Sequence, residues 1–231
     1  MNYNLLIFAY SFPHTKTKDF LQICYELKLK PIVIAAPFKK LKTINKNKKI
    51  NFPDVLDAKT LCKKYEFKYY KIEHSDYKKI YSIITKNKIN IGLISGARIL
   101  NKNIIKLFKF GIINYHPGKL PENRGLNTFY NSIKNNIRPA VTVHFIDENI
   151  DLGKMIFLKY IQVYKNDTFK RIKKRIYINE IYLHKLICKK ILNNKKINSK
   201  KFTFKKTIKN NIELPNININ AKFKAWKKIF I

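Results

Sequence analysis

The sequence predicts an α/β fold, a mostly parallel sheet with helices on both faces. Three short apolar runs carry much of this: L-L-I-F-A-Y at 5–10, P-I-V-I-A-A at 31–36 and I-G-L-I at 91–94. Each has the length and make-up of a strand buried on both faces. Between them lie segments of roughly ten residues that read as helices, and strands alternating with helices argue for a parallel sheet. The chain of 231 residues is long enough for one sizeable core and too short for two full domains.

Taken in order, the first strand is followed by S-F-P-H-T-K-T at 11–17, where Pro13 and capping-type residues predict a loop that leads into a helix over 18–29. The second strand, 31–36, opens into a Lys/Asn-rich stretch at 39–51 without periodicity, expected as an exposed loop. Asp54 is the expected cap of a helix ending at Tyr65. A strand at 67–71, a helix at 75–87 and the strand at 91–94 follow. Gly111-Ile112-Ile113 forms the next strand, and Asn114-Tyr115-His116 stands at its end. A helix is expected at 126–134, then a strand at 140–146 with Val141, Val143 and Phe145 on one face and Thr142 and His144 on the other. A further strand covers 155–163. Asp167 is expected to cap a helix reaching Leu192, with Ile172, Ile176, Glu180, Leu183, Leu186 and Ile187 near helical spacing. The boundary is set at 192: residues 1–192 form the main domain, and 193–231 are a Lys/Asn-rich extension with no separate core and one extra strand at 201–206.

The net charge of +35 points first to polyanions. Its make-up argues otherwise. Of 49 basic residues only five are Arg, and Asn, Ile, Tyr and Phe are abundant too, a pattern that A/T-rich codons supply on their own. Nucleic-acid readers favour Arg for its two-pronged contacts, so specific nucleic-acid binding is not expected. Three widely separated cysteines, Cys24, Cys62 and Cys188, suit neither a disulfide framework nor a metal site and fit a reducing cytoplasm. No secretory leader opens the chain, and no apolar run reaches the roughly 20 residues a bilayer requires.

The chemistry concentrates in residues 111–153. Ligands of open α/β sheets bind outside the carboxyl ends of the strands, and two such ends stand out: Ser95-Gly96-Ala97-Arg98 and Asn114-Tyr115-His116. Asn114, His116 and the later Asp151 are an amide, an imidazole and a carboxylate. An amide and an imidazolium stabilise the oxyanion formed when a nucleophile adds to a carbonyl; a carboxylate beside them orients the ring or takes a proton. No Ser or Cys adjoins His116, so the set suits direct acyl transfer without a covalent enzyme intermediate. On residue type alone, each also reads as a turn residue, a packed loop histidine or a capping carboxylate.

The run N-Y-H-P-G-K-L-P-E-N-R-G at 114–125, followed by V-T-V-H-F-I-D-E-N-I-D-L-G at 141–153, resembles the folate-dependent formyltransferase family. The likeness is specific over about 94–163 and persists in order over 5–192. It implies a Rossmann-like sheet, a formyltransferase domain at 1–192, 10-formyltetrahydrofolate as the donor and a primary amine as the acceptor. It carries the catalytic roles onto Asn114, His116 and Asp151, with no metal. Folate contacts fall on Gly96, Ala97, Arg98, Ile99 and Leu100, whose main chain would read the pterin edge, and on the covering loop with Ile146, Asp147 and Glu148. Pro117, Pro121, Arg124 and Gly125 would shape the acceptor-side loop.

The acceptor expected is a phosphorylated small-molecule amine, an amino-sugar nucleotide; the alternative is glycinamide ribonucleotide of purine synthesis, whose branch the chain length, the R-G-L-N-T run at 124–128 and the late helix with Glu180 resemble. The ribonucleotide branch carries a Gly- and Ser-rich phosphate loop after its first strand, whereas no glycine occurs here before Gly92. The Asp147–Asp151 loop is also one residue shorter than that branch implies. Initiator methionyl-tRNA ranks third, because only about 40 residues follow the long helix. A non-catalytic RNA-binding protein or a decayed homologue would have to explain an intact Asn114, His116 and Asp151 as coincidence. The oligomeric state is left open, a homodimer included.

Overall fold

The computed structural model describes residues 1–39, 52–149, 151–202, 208–210 and 218–231, those at 208–210 by backbone alone. The chain divides into two compact units, Met1–Ile113 with Lys185–Lys196, and Asn114–His184 with Ile197–Ile231.

In the first unit, β1 (Leu5–Tyr10) pairs in parallel with β2 (Ile32–Ala36) and with β4 (Ile91–Ile94). β2 pairs in parallel with β3 (Lys68–Lys71), and β4 with the start of β5 (Ile112–His116). Register follows the apolar runs: Leu6 faces Ile32 on one side and Gly92 on the other. Leu6 to Ala9 and Val33 to Ala36 are fully buried, as unbroken apolar strands of a parallel sheet require. Each large side chain so buried contributes about 1.5–3 kcal/mol.

Among the described residues, the helices lying wholly in this unit are α1 (Thr15–Glu26), α2 (Ala58–Tyr65), α3 (Tyr77–Lys86) and the short α4 (Lys102–Ile105), the last not expected from the sequence. α1 starts three residues earlier than expected, directly after the extended His14, and stops before Lys28, whose φ of 58° is left-handed. The cap of α2 is Asp57, not Asp54: its carboxylate accepts from the Thr60 N–H at 2.8 Å. Asp76 does the same for α3 through Lys79 N. Cys24, Cys62 and Cys188 are free and buried.

The second unit holds β6 (Asn123–Gly125), α5 (Thr128–Lys134), β7 (Ala140–Phe145), β8 (Met155–Tyr160), β9 (Ile208–Asn210) and α7 (Ile219–Phe230). α6 (Phe169–Leu192) begins within it. Seven strands share one sheet in the order β3-β2-β1-β4-β5-β7-β8, with β8 antiparallel to β7, and β6 pairs in parallel with β9. β8 ends at Tyr160, short of the expected 163. Tyr160 pairs with Ala140, and the preceding Pro139, which accepts from Ile161 N, has no N–H with which to extend the ladder. Both faces of β7 are buried, Thr142 and His144 included.

Two expectations fall largely outside the described residues: the loop at 39–51 and the strand at 201–206. A single bridge joins Lys200 to Met155 just ahead of the latter. β6, β9 and α7 were not anticipated. α7 is amphipathic, with Phe223 and Trp226 on its buried face.

Asp167 does not cap α6. Thr168 does, its hydroxyl accepting from Arg171 N. Asp167 instead accepts from Tyr164 N and from both terminal nitrogens of Arg175, at 2.8 and 2.9 Å, while Arg175 also donates to the Gln162 carbonyl. The Arg175 hydrogen bonds, first among the causes, hold the Asp167 carboxyl below its ordinary range. Arg175→Met therefore removes charge-assisted bonds from a buried carboxylate and should cost about 2 kcal/mol in urea unfolding at pH 7. A depressed carboxylate stabilises the fold above its unfolded value of about 3.9 and loses that contribution as pH falls through its folded value. The difference between variant and parent should accordingly shrink toward acid.

Candidate active site

β5 runs through Asn114 to His116, further than the three-residue strand expected at 111–113. Alternation along a strand directs Asn114 and His116 to one face and Tyr115 to the other. Tyr115 is buried, and its hydroxyl meets His184 Nδ1 at 3.1 Å. Asn114 is half-buried and His116 is 4% exposed.

His116 Nε2 lies 2.7 Å from the carbonyl oxygen of Asn123. A carbonyl only accepts, so Nε2 carries hydrogen and donates. Nδ1 then faces Asp151, whose Oδ2 is 3.5 Å away. That same Oδ2 accepts from the Gly125 main-chain N–H at 2.8 Å. One short strand, β6, thus holds both catalytic candidates by its backbone: the imidazole through the carbonyl of Asn123, the carboxylate through the amide of Gly125.

β6 is itself anchored. The fully buried Asn123 side chain donates to the Thr128 carbonyl and to Ser132 Oγ, both at 2.8 Å. Thr128 Oγ1 donates to the Pro117 carbonyl. Thr142 Oγ1 donates to the Gly118 carbonyl and accepts from Leu120 N. The H-P-G turn at 116–118 is therefore pinned from two sides. Gly118 lies so close that an added Cβ would sit 2.9 Å from His116 Nε2 and 3.1 Å from the Asn123 oxygen.

A residue that sequence reasoning missed completes the group. His144 on β7 is fully buried, and its Nδ1 lies 3.1 Å from the Phe145 carbonyl, so Nδ1 bears the hydrogen. Its Nε2 is then a bare acceptor, and Asn114 Nδ2 donates to it at 3.3 Å. Burial first, and the charge of His116 second, hold His144 down to about 4. It is neutral at pH 7, and its 3.7 Å approach to Asp151 Oδ1 is not an ion pair. The available signal was a histidine sharing a strand face with Thr142, seven residues before Asp151.

Asp151 is left-handed, with φ 56°, at the end of the loop closing β7 onto β8. Within that loop Ile146 and Asp147 are half-buried, Glu148 is exposed, and Asp147 Oδ1 accepts from Asn149 N. Ile150 falls outside the described residues. Gly153 ends the loop where an added Cβ would run into the Phe145 carbonyl, so only glycine fits.

In the first unit, residues 96–100 follow β4. Gly96 N donates to the Phe8 carbonyl, and the Ala97 carbonyl accepts from Tyr10 OH at 2.9 Å. Arg98 N lies 3.3 Å from His74 Nδ1, while His74 Nε2 meets the Ile34 carbonyl; the buried imidazole accepts from one main-chain group and donates to another. The Arg98 side chain donates to the Pro37 carbonyl and pairs with Glu73, leaving Nε buried without a hydrogen-bond partner. It is held down and does not project freely. Ile99 is 79% exposed and Leu100 is buried. The main chain of this loop is thus fixed by Tyr10 and His74, and one apolar side chain, Ile99, points outward.

An amide, an imidazole and a carboxylate thus lie together at the end of a strand in an α/β protein. The chain belongs to the formyl transferase family, whose profile matches residues 45–187. It is 31% identical over 88 residues to the phosphoribosylglycinamide formyltransferase of Bacillus subtilis (strain 168), a match covering 38% of this chain and 45% of that protein. The match thus spans under half of that relative's length. Among solved structures, a sugar N-formyltransferase from Shewanella sp FDAARGOS_354 superposes with a TM-score of 0.64 at 18% identity, covering 97% of this chain and 87% of that one. The phosphoribosylglycinamide formyltransferase of Streptococcus pneumoniae TIGR4 superposes with a TM-score of 0.62 at 18% identity, covering 81% and 97%. The Rossmann-like sheet expected from the sequence is the fold of these neighbours.

Two outcomes test this geometry. Gly118→Ala should displace the His116 ring and lower kcat at least tenfold while the thermal midpoint moves by only a few degrees. Unchanged turnover would mean that the ring position is immaterial. The second concerns pH. His14, His74 and His144 are each held near 4, by burial first, against about 6.5 in an unfolded chain. Between those values the unfolded chain binds more protons, so stability falls as pH drops from about 6.5 toward 4. Urea midpoints across that range should show the decline, with a shallower slope in His74→Gln.

Proposed function

We propose that this chain transfers a formyl group from 10-formyltetrahydrofolate to a primary amine, and that the amine belongs to an amino-sugar nucleotide. The observation that carries formyl transfer is the assembly of Asn114, His116 and Asp151 on the backbone of β6, in a chain of the formyl transferase family. The amine lone pair attacks the formyl carbon, and the carbonyl electrons move to oxygen. A carboxamide nitrogen carries two hydrogens. One of Asn114's goes to His144, and the second is the donor for the oxyanion. His116 contributes once its Nε2–H exchanges the Asn123 carbonyl for the substrate oxygen. Asp151 takes the amine proton, the bond from the formyl carbon to the folate nitrogen breaks, and that nitrogen is reprotonated to give tetrahydrofolate. The loop at 146–149, in the same unit as His116 and Asp151, supplies folate contacts. The three free, buried cysteines support a reducing compartment, the cytoplasm.

The acceptor reading rests on two features. In the second unit, a cavity of about 260 Å³ begins at Pro117, next to His116, and is lined by Phe129, Tyr130, Lys173, Tyr177 and Glu180. Aromatic rings, an ammonium and a carboxylate suit a ring-bearing, hydroxylated and phosphorylated amine, a description that both acceptor readings meet. In the first unit, the loop after β1 has no glycine, and its His14 is held to about 4 by burial, with Lys16 adding to the effect. The likeness in fold to the Shewanella sugar N-formyltransferase over 97% of the chain is consistent with this acceptor. Glycinamide ribonucleotide is the second reading, favoured by the likeness to the Bacillus subtilis phosphoribosylglycinamide formyltransferase.

The test is a screen of amines with 10-formyltetrahydrofolate, reading tetrahydrofolate release: nucleotide-linked amino sugars, glycinamide ribonucleotide and charged initiator tRNA. Turnover with the first group is expected. Turnover with glycinamide ribonucleotide alone would overturn the acceptor reading and leave formyl transfer standing. Asn114→Ala should cut kcat by about 10²–10³, the usual loss for one oxyanion donor, without loss of fold.

A further inference from the structure

We propose that the C-terminal helix α7 braces from behind the cavity that Pro117 borders, joining its two walls and so setting the affinity for the amine acceptor. The inference rests on reading that cavity as the acceptor's.

One wall comes from α5, with Phe129 and Tyr130; the other from α6, with Lys173, Tyr177 and Glu180. Side chains of α7 touch both. Phe223 stacks on Phe169 in the first turn of α6, with ring centroids 4.1 Å apart and planes at 24°. Trp226, fully buried, meets Phe129 edge to face at 6.0 Å, and Phe223 meets the same ring at 6.4 Å. The indole N–H donates to the Ile137 carbonyl, just beyond α5, at 3.1 Å. Lys227 Nζ donates to the carbonyls of Lys165 and Asp167, both at 2.9 Å, in the turn that precedes α6. The ring of Phe129 thus has the cavity on one side and the rings of α7 packed against it.

The cavity's cation depends on the same arrangement. Lys173 Nζ lies 4.4 Å from the Tyr130 ring centroid and 5.8 Å from that of Phe129, and donates to Tyr130 OH at 3.2 Å. Its ammonium stays over these rings only while α5 and α6 keep their spacing. Packed interiors transmit such constraints because they leave little free volume. α7 is therefore a positioning element. It meets the walls from behind, and no residue of it lines the cavity.

The experiment compares the full chain with Trp226→Ala, Trp226→Phe and Lys227→Met. It measures KM for the amine and for 10-formyltetrahydrofolate separately, with a nucleotide-linked amino sugar and glycinamide ribonucleotide as probes. Trp226→Ala should raise the amine KM about tenfold and leave the folate KM within twofold. Trp226→Phe, which keeps a ring against Phe129, should recover most of the loss. Lys227→Met, a milder change that keeps the reading available if Trp226→Ala does not fold, should raise the amine KM about threefold. Leu61→Ala on α2 is the control for lost stability: it should lower the thermal midpoint and leave both KM values alone. Equal shifts in both KM values, or an amine KM unmoved in folded α7 variants, would overturn the proposal. Tyr130→Ala separates the two levels. If it leaves the amine KM unchanged, the cavity is not the acceptor's. If it raises that KM while the α7 variants do not, only the role of α7 falls.

Discussion

The hydrogen bond from His116 Nε2 to the carbonyl of Asn123 organises the second unit's chemistry. Because a carbonyl cannot donate, this contact settles which nitrogen bears hydrogen and turns Nδ1 toward Asp151. Two residues along, the Gly125 amide holds the carboxylate. A strand of three residues, unremarked by propensity, thereby fixes two side chains whose sequence positions are far apart. Its own anchor, Asn123 on Thr128 and Ser132, and the hold of Thr142 on the turn at Gly118 and Leu120 account for much of the polar burial around the site. These polar groups have partners, so their burial carries little desolvation cost.

Charge is managed by keeping the second imidazole neutral. His144 sits between Asn114 and Asp151 with a bare Nε2, and a positive charge there would compete with His116 for the same carboxylate. Burial suppresses that charge. His74 follows the same logic in the first unit: a neutral, buried ring accepts from Arg98 N and donates to Ile34, so it ties the loop at 96–100 to β2 by hydrogen bonds. Buried histidines serve this chain as fixed two-ended connectors.

The aromatic packing of α7 gives meaning to a tail that composition alone makes look like surplus. Lys and Asn dominate residues 193–231, yet Phe223 and Trp226 stand at helical spacing and bury against Phe129 and Phe169. The loop after β1 carries no glycine. In the second unit the structure has a cavity lined by aromatic rings, an ammonium and a carboxylate.

By itself the sequence determined the sheet, because continuously apolar strands and amphipathic helices are local patterns that burial rewards directly. It also determined the family, through N-Y-H-P-G at 114–118 and the run at 141–153, and named Asn114, His116 and Asp151. It placed helix caps wrongly at Asp54 and Asp167, since several neighbouring side chains can cap and local spacing does not choose among them. His144, the backbone of β6 and the wedge of α7 were decided by tertiary structure. Their roles depend on what lies across space: a carbonyl opposite a ring nitrogen, an amide opposite a carboxylate, an indole behind a phenyl ring. Such pairings join residues seven to 97 positions apart, and no periodicity along the chain records them.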